Sequence, residues 1–114
     1  SVVVFAGEKA IDPQSLVGEW TGTWSFPTGK GDRLYLTVKS VHDGKVVGSV
    51  YIQSPARYAQ KDLPITGTVN QEGVLSLSNE YLELFLTVVS PKEMQGTGVA
   101  DQTYRVNIIL WKSK

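Results

Sequence analysis

The run Arg33-Leu34-Tyr35-Leu36-Thr37-Val38-Lys39-Ser40-Val41-His42-Asp43-Gly44-Lys45-Val46-Val47-Gly48-Ser49-Val50-Tyr51-Ile52 decides the fold. Apolar side chains recur at alternate positions on both sides of Asp43-Gly44. Successive strand residues face opposite sides of a sheet, so the run reads as two strands, each with one apolar face. Asp43-Gly44 is the matching hairpin signal, because glycine accepts the positive φ that a two-residue turn demands.

Extended in both directions, the same alternation predicts eight strands, over 17–26, 32–42, 45–54, 62–70, 73–79, 82–89, 92–100 and 104–112. Turn residues separate them every ten to thirteen positions. No segment places apolar residues at helical spacing over three turns. Only 12–16 reads as a helical turn, with Asp12 as N-cap and Pro13 at the first helical position. Short connections favour pairing in chain order, and closing such a meander removes the edges that invite aggregation. The expected fold class is therefore all-β, an eight-stranded antiparallel up-and-down barrel with a short N-terminal helical turn. One domain spans 1–114, with an N-terminal arm over 1–11, the turn over 12–16 and the barrel over 17–112.

Parity assigns the two faces. Trp20, Gly22, Trp24, Phe26, Leu34, Leu36, Val38, Val46, Gly48, Val50, Ile52, Leu82, Leu84, Leu86, Val88, Met94, Gly96, Gly98, Tyr104, Val106, Ile108 and Leu110 point inward. The fourth and fifth strands switch to odd numbers, with Leu63, Ile65, Gly67, Val69, Leu75 and Leu77. The glycines on this wall predict sharp bends or places where opposing side chains need room. The outward set is mixed and includes Glu19, Thr21, Ser49, Glu83 and Arg105. It also carries Tyr35, Tyr51, Phe85, Ile109 and Trp111, aromatic and aliphatic groups on several strands whose exposure predicts an interface with a partner or a second copy. Burial beneath the N-terminal segment is the competing explanation.

Composition narrows the function classes. Eleven basic and eleven acidic residues balance to zero net charge, so the basic stripe of a nucleic-acid binder is missing. The absence of cysteine excludes a disulfide framework, a thiolate metal site and a cysteine nucleophile. No apolar run reaches the roughly 18 residues of a membrane span. Residues 1–7 are apolar but lack the basic leader of a signal peptide, and read as an added edge strand or a trimmed end. Compartment stays open, with a periplasmic or secreted setting slightly favoured over the cytosol.

His42 is the only histidine, so a multi-histidine metal site cannot be built, and its place beside the 43–44 turn reads as a solvated side chain. Asp62, Glu72, Glu80, Glu83, Glu93 and Asp101 fall at strand ends or outside, whereas a general acid or base needs a desolvated cleft. No catalytic residue, metal ligand or cofactor is assigned. Trp20 reads as a core plug. Trp24, four residues further along the same wall, either closes the opposite mouth or lines a pocket there. Arg57 and Tyr58 belong to the longest internal connection, 53–61, where a barrel mounts recognition residues. Together with Tyr104 they complete a candidate ligand set of Trp24, Arg57, Tyr58 and Tyr104.

Asp12-Pro13-Gln14-Ser15-Leu16-Val17-Gly18-Glu19-Trp20 resembles the opening of the calycin barrels, the lipocalin and avidin group, in which a helical turn leads into Gly-x-Trp on the first strand. The resemblance implies that Trp20 plugs the closed end against a basic side chain from the last strand, where Arg105 lies. Avidin-like proteins place a polar ligand-binding residue two positions after that tryptophan. Here the position is Gly22, which argues against biotin. The arm over 1–11 is also similar to that of small bacterial metalloprotease inhibitors of this group, without their disulfide. Two functions follow as expectations: a non-catalytic calycin-like domain taking a small apolar molecule at the mouth, or a protein-interaction or inhibitor module using the outer aromatics, the 53–61 loop or the arm. Membrane insertion is not expected, and a homo-oligomer is possible under the second reading.

Overall fold

The structure, a computed structural model, describes residues 12–52 and 63–113. Arg57, Tyr58, the rest of the 53–61 connection and the 1–11 arm lie outside the described residues. A one-turn 3-10 helix, Pro13–Leu16, precedes β1 (Gly18–Ser25), β2 (Gly31–His42), β3 (Lys45–Ile52), β4 (Leu63–Val69), β5 (Val74–Ser78), β6 (Leu82–Ser90), β7 (Glu93–Ala100) and β8 (Tyr104–Lys112). Each strand pairs antiparallel with the next, and β8 returns to β1, so the sheet closes as a barrel in chain order. Asp12 caps the helical turn through its side chain, which accepts from Gln14 N at 2.9 Å.

Turn chemistry sets the register. Asp43 and Gly44 both have positive φ, at 50° and 74°, as the hairpin between β2 and β3 requires. Asn70 Oδ1 accepts from Glu72 N and Val74 N, and Asn79 Oδ1 from Tyr81 N and Leu82 N, so two asparagines replace ladder partners where the chain reverses. Between Val38 and Ser40 the β2–β3 register slips by one residue. That bulge flips the parity of the end of β2 and turns the odd-numbered Val41 into the core.

The inward set is buried almost throughout, from Trp20 and Leu75 to Met94 and Leu110. Three residues of the outward set are less exposed than their parity alone implies. Ser49 is buried, and Tyr35 and Tyr51 are half-buried, so the outer wall of β2 and β3 is partly covered rather than free. Tyr104, assigned to the inner wall, is exposed at the strand end.

Glycine permits the closure. A Cβ at Gly22 of β1 would stand 1.8 Å from the carbonyl oxygen of Ile109, and one at Gly67 of β4 would stand 1.8 Å from that of Ser76. Both obstacles are backbone on the paired strand and cannot rotate away, so at these points only hydrogen allows the sheet to curl this tightly. Gly98 of β7 differs, since the nearest atoms to its virtual Cβ are side-chain ones, Ile108 Cδ1 at 3.0 Å and Leu84 Cδ2 at 3.1 Å, and the nearest backbone atom, Glu83 O, is no closer than 3.2 Å.

One end of the barrel is stoppered. Trp20 is fully buried, and its Nε1 donates to Leu16 O at 2.9 Å, fastening the helical turn across the opening. The cation from the last strand is Lys112, not Arg105. Lys112 is the register partner of Trp20, its Nζ lies 6.0 Å from the Trp20 ring centroid, and it donates to Ser15 O. Arg105 occupies the same strand on the exposed outer wall, because its parity is opposite to that of Lys112.

Two stability outcomes follow. Gly22→Val should cost about 3 kcal/mol or more in urea unfolding, whereas Gly98→Ala should cost about 1 kcal/mol, the difference between meeting backbone and meeting movable side chains. Lys112→Met, which keeps the stem but removes the donor and charge, should cost about 1–2 kcal/mol in the same measurement.

Candidate functional site

At the opposite end the described residues leave an opening. It is formed by the end of β1, the start of β2, the end of β3, the start of β6, the end of β7 and the start of β8, which together line a cavity of about 300 Å³. Its wall among the described residues is Trp24, Phe26, Leu34, Ile52, Leu82, Leu84, Gly98, Val99, Ala100, Asp101, Tyr104, Val106 and Ile108. Only Trp24, Asp101 and Tyr104 of these carry polar side-chain atoms. Alternation explains the composition: every strand presents its inward apolar set until the barrel ends, and among the described residues nothing equivalent to Trp20 and the helical turn fills the last layer.

Of the candidate ligand set, Trp24 and Tyr104 meet at this mouth. Trp24 lines the cavity and is 8% exposed. Its ring meets Phe26 edge-on at 5.2 Å and 85°, and Phe26 meets Tyr104 at 6.4 Å and 69°, a chain of three rings running from the inner wall to the rim. Edge-to-face geometry at these separations fixes ring orientation with modest energy beyond the area buried. Tyr104, 54% exposed, forms the outer end of that chain. Phe26, Leu82, Leu84 and Ile52 also line the cavity; inward parity marked them as wall residues, but parity alone does not say which layer of a barrel is left unfilled.

Two inward indoles on β1 are treated differently. Trp20 Nε1 has its acceptor in Leu16 O, whereas Trp24 Nε1 is buried and has no hydrogen-bond partner among the described residues. Asp101 and Gln102, in the β7–β8 turn at the rim, both have positive φ, 52° and 59°, and Thr103 N donates to Ala100 O at 3.0 Å. Three residues, 101–103, separate the paired Ala100 and Tyr104, and the first two, both with side chains, hold the left-handed conformation that favours glycine.

The five interface candidates are spread over four strands. Tyr35 and Tyr51 are register partners on β2 and β3, and their rings stack at 5.6 Å and 21°. Ile109 and Trp111 share the outer face of β8, with Trp111 49% exposed and Thr21 of β1 standing between it and Tyr35. Phe85 is exposed on β6, and Gln95 and Thr97 of β7 intervene between it and Ile109. His42 lies at the stoppered end, 88% exposed in its side chain, with Nε2 3.3 Å from Asp43 Oδ2. No group of three or more metal-ligating side chains is found among the described residues, and none of their helices is long and apolar enough to cross a membrane.

No protein-family model and no curated protein matches the chain. A solved structure of a redesigned beta barrel is similar to it, with a TM-score of 0.66 at 14% sequence identity over 88% of this chain and 93% of that one. At that identity the likeness is one of fold.

The rim turn gives a direct stability test. A side chain held in the left-handed region costs about 1–2 kcal/mol, against about 0.5–1 kcal/mol of extra chain entropy for glycine, so Gln102→Gly should raise unfolding stability by roughly 0.5–1 kcal/mol. Thermal and urea unfolding of the two proteins checks this.

Proposed function

We propose that the chain is a non-catalytic, calycin-like binding domain that takes a small apolar molecule at its open end. The observation that carries the reading is the asymmetry of the barrel: a tryptophan, a lysine and a helical turn stopper one end, while the other holds an apolar cavity with few polar groups. Ligand sites are commonly concave, mostly apolar and provided with a small number of placed polar atoms, and barrel mouths are a frequent place for them. The calycin part of the proposal is supported by the 12–20 opening and by Lys112 and Trp20 packed together at the stoppered end.

Binding rather than turnover is favoured by where the reactive groups stand. The one histidine belongs to a turn at the far end, and Asp101 is the only carboxylate among the described lining residues. A cavity of this size suits a two- or three-ring molecule. At roughly 0.4 kcal/mol per heavy atom, a ligand of about fifteen atoms gains about 6 kcal/mol, an affinity in the tens of micromolar.

The test is a titration with N-phenyl-1-naphthylamine, read by its emission. Probe fluorescence should rise and shift to the blue as it leaves water. Ala100→Trp, which places a bulky ring at the half-buried rim, should weaken binding at least tenfold with an unchanged melting temperature. Equal binding to the blocked variant, or no emission change with the unmodified protein, removes the mouth as a ligand site.

A further inference from the structure

We infer that the ligand of this mouth carries a neutral oxygen acceptor, a ketone, ester or ether oxygen, which takes the hydrogen bond of Trp24 Nε1. The inference rests on the mouth being a binding site and names the chemistry that the site selects.

Buried N–H groups in folded proteins almost always have a partner. The barrel itself provides the comparison. Trp20 and Trp24 lie on the same strand and the same wall, and both are buried. Trp20 spends its donor on Leu16 O at 2.9 Å, and that bond closes one end of the barrel. Trp24 has no such bond, and among the described residues its Nε1 is the one buried side-chain polar atom without a partner. A phenylalanine would keep an apolar ring beside Phe26 without leaving a donor unmet. The edge-on Phe26 ring at 5.2 Å offers an aromatic face at most, a weak acceptor. The unmet donor belongs to a side chain that lines the cavity, so a molecule entering there is placed to satisfy it.

An indole N–H has donor character only, so its complement is an acceptor. A neutral oxygen is the fitting class because the surrounding wall of Leu34, Leu84, Val106 and Ile108 would strip the water from an ionised group without supplying a counter-charge. Nε1 is shielded from solvent, and Phe26, half-buried at the strand end and edge-on to the Trp24 ring, is a neighbour whose displacement would widen access to it. The discrimination expected is of the kind seen wherever a site built to hydrogen-bond a substrate group meets an analogue lacking it.

The experiment uses two ligands of matched shape, 2-acetylnaphthalene and 2-isopropenylnaphthalene, which differ in a carbonyl oxygen against a methylene. Affinities come from calorimetry, and the indole N–H of Trp24 is followed by nitrogen-15 correlation spectroscopy. The ketone should bind about five- to tenfold tighter, with a downfield shift of the Trp24 indole proton that the alkene does not produce. Trp24→Phe should bring the ketone down to the affinity of the alkene, with its melting curve confirming that it is folded. Equal affinities with no indole shift in the unmodified protein overturn the inference and leave the mouth as an apolar site. A ketone preference that survives Trp24→Phe assigns the donor elsewhere and also overturns it, and binding of neither ligand overturns both the inference and the mouth site beneath it.

Discussion

A strand paired on both sides has no edge to offer another chain, and here that condition is reached by returning β8 to β1. Eight strands around so narrow a core demand curvature that a flat pleat cannot supply. The backbones of β1 and β8 approach so closely that only hydrogen fits at Gly22, and the same holds between β4 and β5 at Gly67. These positions are inward, where an aliphatic side chain would otherwise add to the core, so core volume is given up for closure. What remains of the interior is filled in layers by leucines, isoleucines, valines and Met94. The mouth cavity lies where the layers stop.

The architecture was legible because one signal repeats. Alternation from Leu34 to Ile52, broken by Asp43-Gly44, specifies a hairpin, and the remaining segments repeat its logic, so strand order and inward parity follow with little ambiguity. The departures have local causes. A bulge after Val38 reverses the parity of Val41, and its mark in the sequence is the pair Lys39-Ser40, two polar residues in a row where strict alternation has one. Arg105 and Lys112 share a strand, and a motif that requires a basic residue from that strand does not choose between them. Parity does, since Lys112 carries the even numbering of the inner wall while Arg105 does not.

The site was less legible than the fold. Trp24 and Tyr104 are brought together at the mouth, but whether Trp24 closes the barrel or lines a space depends on how many layers of side chains the interior holds, which is a matter of volume rather than pattern. The outer aromatics show the complementary difficulty. Parity places Tyr35, Tyr51, Phe85, Ile109 and Trp111 outside, yet contiguity depends on register, and register puts Thr21, Gln95 and Thr97 among them. A stacked tyrosine pair on β2 and β3 and exposed apolar groups on β6 and β8 are the result, an arrangement that parity alone does not specify.

The two ends of the barrel express one strand of sequence in two ways. Along β1 the residues Trp20 and Trp24 are four apart and face the same interior. Near Trp20 the chain has just left the helical turn, so a backbone carbonyl, Leu16 O, is within reach of the indole, and the last strand delivers an ammonium group to the same ring. Near Trp24 the chain is about to leave the sheet for the 26–30 turn, and the carbonyls around it are committed to the β1–β2 and β1–β8 ladders. The same side chain therefore becomes a fastener at one end and an unsatisfied donor at the other. Because the inner backbone carbonyls of a closed sheet are engaged in its ladders, the described residues offer that donor no acceptor, and one would have to come from the mouth cavity rather than from the outer wall.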